Sequence, residues 1–201
     1  MKTRFLIILT SVIVGLAKAY AGDSTFTLQP KLFVFDPGHT GIASAVWVNG
    51  QGLADNDQDL AANKAGKALV LKKLGPTGTN ASAGASIYGS TWIQFRSNEL
   101  GFDIRNDSYH NFGSPRFNVA TADGGFYFCG ADGAASQTHF TDPQGRSWTR
   151  FRFTGADCFP NNLLQPNAII TSIDLILDEE TTSVGSVIDN ISVNGTIIRK
   201  D

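Results

Sequence analysis

Four short segments in the middle of the chain alternate bulky apolar residues with residues that could bind a ligand. They are residues 100–105, 116–121, 126–129 and 148–153. Successive side chains of a β-strand point to opposite faces, so each segment predicts a strand with one apolar face and one decorated face. The decorated faces carry eight candidate binding residues: Asp103, Arg105, Arg116, Asn118, Tyr127, Trp148, Arg150 and Arg152.

If these four strands are neighbours in one sheet, the eight side chains gather on a single outward face. The apolar sides must turn towards the core, because burying an unpaired arginine costs far more than burying a phenylalanine gains. Guanidinium and amide groups bind hydroxyls or carboxylates, and aromatic rings stack on sugar faces. The pattern predicts a face that binds a glycan or another anionic ligand. The alternative is a solvated face with cross-strand ion pairs, such as Asp103 or Asp174 opposite an arginine.

Signals for a metal site or a catalytic site are weak. Residues 55–59 read Asp-Asn-Asp-Gln-Asp, and oxygen ligands at alternate positions occur in some calcium loops. The glycine and distal glutamate of an EF-hand loop are missing, so a solvated acidic turn is the favoured interpretation. His39, His110 and His139 lack metal-ligand spacing, and the sequence contains no hydrolase elbow, zinc-protease motif or P-loop. We therefore expect no catalysis, with a carboxylate pair assembled in space as the alternative.

The N-terminus has the order of a secretory signal peptide. Basic residues within the first four positions precede an apolar run over residues 5–16 and an Ala-x-Ala cleavage pattern at 17–19 or 19–21. The apolar run is too short to span a bilayer, and the alternative is a buried N-terminal helix. We expect a signal peptide over residues 1–21, a single domain over residues 22–201, and a secreted protein.

Charge and cysteine content narrow the expected partners. The chain has a formal net charge of −2, and three of its positive charges lie in the predicted signal peptide, so the sequence predicts no nucleic-acid partner. No later apolar run approaches membrane-spanning length. The two cysteines, Cys129 and Cys158, predict a disulfide in an oxidising compartment, worth roughly 3–4 kcal/mol by loop closure, with two free thiols as the alternative. The sequence defines no oligomeric state.

The elements that must position these residues are short strands. Ten or so alternating runs are separated by turn signals, and the chain contains 21 glycines. Helical periodicity is nearly absent, apart from one short helix or turn over residues 56–68. The sequence therefore predicts an all-β fold, a two-sheet antiparallel β-sandwich of jelly-roll type.

Several segments also resemble known proteins. The set formed by Gly-Phe-Asp-Ile-Arg at 101–105, Gly-Ser-Pro-Arg-Phe-Asn-Val at 113–119, residues 148–153 and Val-Ile-Asp-Asn-Ile-Ser-Val-Asn-Gly at 187–195 resembles an uncharacterised group of secreted microbial proteins. Residues 187–195 also resemble the closing strand of galactose-binding-like jelly rolls, which include many carbohydrate-binding modules. The first resemblance implies a β-sandwich and no particular activity. The second implies a structural calcium near the terminal strands, and the sequence predicts no other cofactor.

Three functional hypotheses follow from the sequence. The leading one is a secreted, non-catalytic module that binds an extracellular glycan on the face bearing the arginines and Trp148. The second is a structural or interaction protein of the cell surface or matrix that uses the same face for protein contact. The third is a polysaccharide hydrolase or lyase whose site the sequence does not reveal.

Overall fold

A computed structural model describes residues 28–76, 78–96, 100–111, 113–134, 136–160, 164–178 and 183–198. The predicted signal peptide lies outside the described residues. The described part is built from antiparallel strands in two sheets that pack face to face, so the predicted two-sheet β-sandwich is confirmed. No helix within these ranges is long and apolar enough to cross a bilayer.

One layer, the six-stranded sheet, is built from segments between Gln29 and Leu177. Its strands are β1 (Gln29–Phe35), β4 (Ser82–Tyr88), β5 (Ile93–Gln94), β7 (Arg116–Thr121), β8 (Phe126–Gly130) and β11 (Ile169–Leu177). Their order across the sheet is β1-β4-β11-β7-β8, and β5 pairs with β11 beyond the end of β4.

The other layer is the seven-stranded sheet. Its strands are β2 (Ala43–Asn49), β3 (Lys67–Leu74), β6 (Leu100–Arg105), β9 (Ser136–Thr141), β10 (Ser147–Phe153), β12 (Ser183–Val193) and β13 (Thr196–Ile198). Their order is β2-β3-β12-β6-β10-β9, and β13 pairs with β12. The described helices are α1 (Asp57–Ala61) and two 3-10 turns at Ala131–Gly133 and Gly155–Asp157.

The core lies between the sheets and follows the period-two pattern of the sequence. Phe102 of β6 and Phe117 of β7 come from opposite layers, and their ring centroids are 5.7 Å apart. Phe153 of β10 lies 5.7 Å from Phe102 and 6.0 Å from Phe117. All three rings are fully buried. The apolar faces predicted for residues 100–105, 116–121 and 148–153 therefore do meet in the core.

The predicted disulfide is confirmed. Cys129 of β8 is bonded to Cys158, with an S–S distance of 2.01 Å, and both residues are buried. The neighbouring residues Phe128 and Phe159 exchange two backbone hydrogen bonds of 2.8 and 2.7 Å. The bond and this short bridge together hold the segment after β10 against the edge of the six-stranded sheet.

The acidic run at residues 55–59 is used to begin a helix. Asn56 is the N-cap of α1: its Oδ1 accepts a hydrogen bond from the Asp59 backbone N–H at 2.9 Å, and its Nδ2 donates to Asp59 Oδ2 at 2.9 Å. The Asp59 carboxylate also pairs with Lys64 at 3.3 Å. The side-chain oxygens of Asn56 and Asp59 therefore cap the helix. Among the described residues, no three acidic, histidine or cysteine side chains converge as a metal site would require.

Candidate functional site

The eight predicted binding residues do not share one face. β6 and β10 lie in the seven-stranded sheet, whereas β7 and β8 lie in the six-stranded sheet. The outward faces of these two pairs are on opposite sides of the sandwich, so the prediction of four neighbouring strands is wrong. The physical reason is pairing: β6 pairs with β10 and β12, whereas β7 pairs with β8 and β11. The alternation of side chains fixes the two faces of a strand but not its partners.

The predicted orientation of β8 is also wrong. Tyr127 and Cys129 point inwards, opposite Val119 and Phe117 of β7, and are buried. Phe126 and Phe128 therefore point outwards. Every residue from 126 to 128 is aromatic, so the alternation could not fix which face is buried. The disulfide decides the orientation, because Cys129 must face the interior to reach Cys158. Tyr127 is thus removed from the outward faces.

On the seven-stranded sheet, Asp103 is the centre of a buried polar network. Its two carboxylate oxygens accept hydrogen bonds from Arg150, at 2.9 Å from Nε and 2.8 Å from Nη2. Asn190 Nδ2 donates to the same carboxylate at 2.9 Å, and Arg152 Nη1 lies 3.6 Å away. The Asp103 side chain is fully buried. A buried carboxylate needs such partners to offset its desolvation, so these contacts are structural.

Trp148 and Arg105 are also engaged by the chain itself. Trp148 is fully buried in a small cluster on the outward side of this sheet with Ala68, Val70 and Val187. Arg105 donates to Asp107 and to Gln51, each at 2.6 Å. Five of the predicted residues on the seven-stranded sheet thus make structural contacts within the chain: Asp103, Arg105, Trp148, Arg150 and Arg152.

Asp142 lies in the turn between β9 and β10, and its carboxylate accepts a hydrogen bond from the Trp148 ring. Burial alone would raise the pKa of its carboxyl group. Hydrogen bonds from the Arg146 backbone N–H at 2.8 Å, Trp148 Nε1 at 2.9 Å and Arg146 Nε at 2.7 Å outweigh that effect. They hold the pKa of Asp142 below its usual range.

This lowered pKa predicts a pH-dependent contribution to stability. Ionised Asp142 stabilises the fold fully above the unfolded-state pKa of about 3.9, and the contribution is lost as the pH falls through the lower folded-state value. We expect Asp142→Asn to lower the urea unfolding midpoint at neutral pH, with the difference from wild type shrinking below about pH 4. Urea titrations from acid to neutral pH measure it, with exposed Asp57→Asn as the control. A difference that is constant across that range would contradict the prediction.

The outward side of the six-stranded sheet has a different character. One straight row of cross-strand neighbours crosses four strand pairs, with Lys31 opposite Ser86, Ser86 opposite Asp174, Asp174 opposite Asn118, and Asn118 opposite Phe128. We call these five residues the central row. Directly opposite side chains in antiparallel strands have Cβ atoms about 5 Å apart. A carboxylate, a carboxamide, a hydroxyl, an ammonium and a ring therefore stand side by side.

Arg116 lies beside the central row and is held rigidly. It donates two hydrogen bonds to the Asp178 carboxylate, one of them 2.6 Å long from Nη1 to Oδ1, and Nε donates to Asn118 Oδ1 at 3.0 Å. Its guanidinium carbon lies 5.1 Å from the centroid of the Phe128 ring. Asp178 offsets the arginine charge, so the part of this face around Arg116 does not present a free cation.

Asp174 and Asn118 keep polar atoms unengaged. The Asp174 carboxylate makes no hydrogen bond or ion pair with the described residues, and the same holds for Asn118 Nδ2. One is an acceptor and the other a donor, and they are cross-strand neighbours. Such a pair can accept from and donate to the same ligand.

Two clefts lie on either side of the central row. The smaller, about 210 Å³, is lined mainly by hydroxyl-bearing side chains and Asp174. Its lining residues are Ser86, Ile87, Tyr88, Ser90, Thr91, Thr171, Ser172, Ile173 and Asp174. The larger, about 470 Å³, is lined by Gly113, Arg116, Phe128, Gly130, Gly133, Asp157 and Phe159.

The smaller cleft arises from irregular strand pairing. β4 pairs with β11 only over Asp174–Leu177, and β5 pairs with β11 at Ile169 and Ile170. Between these contacts the chain leaves the sheet over residues 89–92, and the pairing of β11 with β7 shifts register between Ile170 and Ser172. Bulges of this kind often lie next to functional sites, because they redirect side chains and open the ladder.

Exposed aromatic rings border these clefts. Tyr88 lies in the smaller cleft, and the Lys31 ammonium lies 5.2 Å from the centroid of its ring. Phe159 lines the larger cleft, and Phe126 packs edge-on against Phe128 with centroids 5.2 Å apart. Sequence reasoning missed Tyr88 and the cleft. The signal that could have found Tyr88 is the alternation of Ala83, Ala85 and Ile87 with Ser86 and Tyr88.

A third cleft, of about 610 Å³, lies on the seven-stranded sheet beside α1. Much of its wall is apolar, formed by Leu53, Leu60, Phe140 and Pro143. Arg150 also lines it and is paired with the buried Asp103. It is the rival location for a ligand.

Comparisons with known proteins found structural likeness only. No family model and no curated protein matches the chain. The family 11 carbohydrate-binding module of the cellulosomal cellulase Lic26A-Cel5E of Clostridium thermocellum is similar at 14% identity and a TM-score of 0.43, over 89% of this chain and 94% of that one. A family 11 module from the same organism, in complex with a β-1,3-1,4-mixed-linked tetrasaccharide, is similar at 16% identity and a TM-score of 0.44, over 88% and 95%. Likeness this distant leaves the ligand to be argued from the site.

Proposed function

We propose that this chain is a secreted, non-catalytic carbohydrate-binding module that binds an extracellular glycan across the outward face of the six-stranded sheet. The observation that carries the proposal is the smaller cleft. An exposed tyrosine ring, several hydroxyl groups and the unengaged Asp174 carboxylate converge there.

The chemistry of the cleft fits a polyol. A sugar presents an apolar C–H face and a rim of hydroxyl groups, so it can pack against the Tyr88 ring while its hydroxyls bond to polar side chains. Asp174 accepts hydrogen bonds from two hydroxyls, and charge-assisted bonds of this kind are stronger than neutral ones. Asn118 supplies a neighbouring donor. The face therefore offers both donors and acceptors without a free arginine.

The rigidity of the face supports the same proposal. Arg116 is fixed by three hydrogen bonds to Asp178 and Asn118, and the disulfide holds the edge of the sheet near the larger cleft. A site that is ordered before binding loses less conformational entropy when the ligand arrives. An extended glycan would gain the most affinity, because it can contact both clefts along this face.

The carboxylates on this face favour binding over cleavage. Glycoside hydrolysis uses two carboxyl groups that flank the scissile bond. Of the two acids of β11 and its end, Asp178 is paired with Arg116, and Asp174 faces the amide of Asn118. Asp174 therefore has no acidic cross-strand partner there.

An extracellular location belongs to the same proposal. The N-terminal segment has the order of a signal peptide, and the Cys129–Cys158 disulfide is the kind of bond that persists in an oxidising compartment. Secretion would place the face in contact with cell-surface or matrix polysaccharides. Detection of the mature N-terminus in culture medium by mass spectrometry tests this part.

The function is tested by affinity measurements on a panel of soluble polysaccharides that includes a β-1,3-1,4-glucan. We expect Tyr88→Ala to weaken binding about tenfold, because the ring is the main stacking surface of the cleft. Leu60→Ala is the matched control: Leu60 is 51% exposed on the other layer, against 53% for Tyr88. Isothermal titration calorimetry gives both dissociation constants.

Two outcomes would contradict the proposal. If no polysaccharide binds the wild-type protein, glycan binding is refuted. If Leu60→Ala loses affinity and Tyr88→Ala does not, the ligand lies in the cleft beside α1.

A second candidate function is protein contact, as a structural or interaction protein of the cell surface or matrix. Phe126 and Phe159 are exposed at one end of the six-stranded face, and exposed aromatic residues are enriched in protein interfaces. Light scattering at two concentrations separates the candidates, because self-association through this face makes the mass rise with concentration.

A further inference from the structure

We propose that Trp92 is a ligand-contacting residue at the rim of the smaller cleft, an inference that rests on the glycan-binding function proposed above. Trp92 is 70% exposed, the largest exposed fraction among the exposed large apolar side chains of the described residues. It follows Thr91, which lines the cleft. Its backbone N–H donates to the Ile170 carbonyl at 2.6 Å, which anchors it next to the cleft-lining residue Thr171.

The backbone of Trp92 has an unusual conformation. Its φ is +64°, in the left-handed region. That region is uncommon for residues other than glycine and is a genuine outlier for bulky side chains. Glycine would adopt it without steric cost. Neither the backbone nor burial in the core therefore accounts for tryptophan at this position.

Strained backbone positions cluster at ligand-binding sites, where the surrounding structure holds them in place. Here the hydrogen bond to Ile170 and the return of the chain into β5 hold residue 92 at the end of the four-residue detour that opens the cleft. A large flat ring at that point can pack against the second face of a sugar whose first face packs against Tyr88. Trp92 is therefore a stacking residue on the same ligand.

The test separates a binding role from a structural role. Trp92→Gly removes the ring and suits the backbone, so we expect an unchanged or higher urea midpoint together with about a tenfold loss of affinity for the polysaccharide that the wild type binds. Trp92→Tyr keeps a flat ring and is expected to retain most of the affinity. The first probe is β-1,3-1,4-glucan, followed by the rest of the panel.

Fluorescence gives an independent readout. The other tryptophans, Trp47 and Trp148, are partly and fully buried. Acrylamide therefore quenches mainly Trp92, and bound polysaccharide should protect it. In Trp92→Tyr this accessible, protectable fraction should disappear.

The outcomes are distinct. A polysaccharide that binds Trp92→Gly as tightly as wild type, without protecting the wild-type fluorescence, overturns the role of Trp92 and leaves the glycan-binding function standing. A marked fall in the urea midpoint of Trp92→Gly shows a structural role instead. Absence of binding by the wild type to every polysaccharide refutes the proposed function and this inference together.

Discussion

Replacing Asp103 with alanine is expected to destabilise the protein by about 1.5–3 kcal/mol, because the hydrogen bonds between a buried carboxylate and charged partners are lost, while the Arg150 side chain, 42% exposed, can return to water. Arg150 would lose both of its hydrogen bonds to the carboxylate, and Asn190 would lose the bond from its Nδ2. These groups link β6, β10 and β12, the centre of the seven-stranded sheet. Equilibrium unfolding in urea measures the change.

Asp107→Ala is the matched control for this experiment. Asp107 also pairs with an arginine, Arg105, at 2.6 Å, but its side chain is 68% exposed. Exposed ion pairs contribute about 0–1 kcal/mol, so we expect the control to remain near wild type. Equal effects of the two substitutions would show that burial of Asp103 does not matter. Under folding conditions, Asp103→Ala should keep its polysaccharide affinity, because the proposed site is on the other sheet.

The second large effect concerns Trp148. Its ring is fully buried, and Nε1 donates to Asp142 at 2.9 Å. We expect Trp148→Ala to cost about 3–5 kcal/mol, the usual range for removing a large buried aromatic side chain. Trp148→Phe should cost less, about 1–3 kcal/mol, because most of the ring volume remains and mainly the hydrogen bond to Asp142 is lost.

Trp148→Ala also separates the two sheets as binding surfaces. The sequence predicted Trp148 as a binding residue, whereas the structure places it under a loop of the seven-stranded sheet. Urea unfolding combined with titration of the folded variant therefore distinguishes the two roles. If Trp148→Ala is as stable as wild type but no longer binds polysaccharide, Trp148 contacts the ligand and the structural role is contradicted.

The sequence predicted much of the fold because strand alternation is a local property. Phe102, Phe117 and Phe153 face the core as their spacing requires, and the cysteine pair forms its bond. The prediction fails at β8, where three consecutive aromatic residues give no difference between the two faces. At α1 the sequence favoured an acidic turn over a calcium loop and predicted a short helix or turn over residues 56–68, and the structure has a helix there over Asp57–Ala61.

The candidate site could be predicted only in part. Arg116 and Asn118 were selected from their alternation in β7, and they do flank the proposed site. Tyr88 and Trp92 were missed, because the cleft beside them forms where β4 and β5 leave a gap along β11. That gap depends on a strand that lies about eighty residues later in the chain, so no local pattern contains it.

Local sequence was enough to predict which side chains of most strands turn inwards, the all-β sandwich and the Cys129–Cys158 disulfide. These follow from the period of the strand and from the cost of burying charge, which act within a few residues. The choice of neighbouring strands, by contrast, depends on the folded chain as a whole. Antiparallel pairing joins segments far apart in sequence, and it placed Arg116 and Asn118 on one wall and Asp103, Arg150 and Arg152 on the other. The same pairing left Asp174 partly exposed and enclosed Asp103.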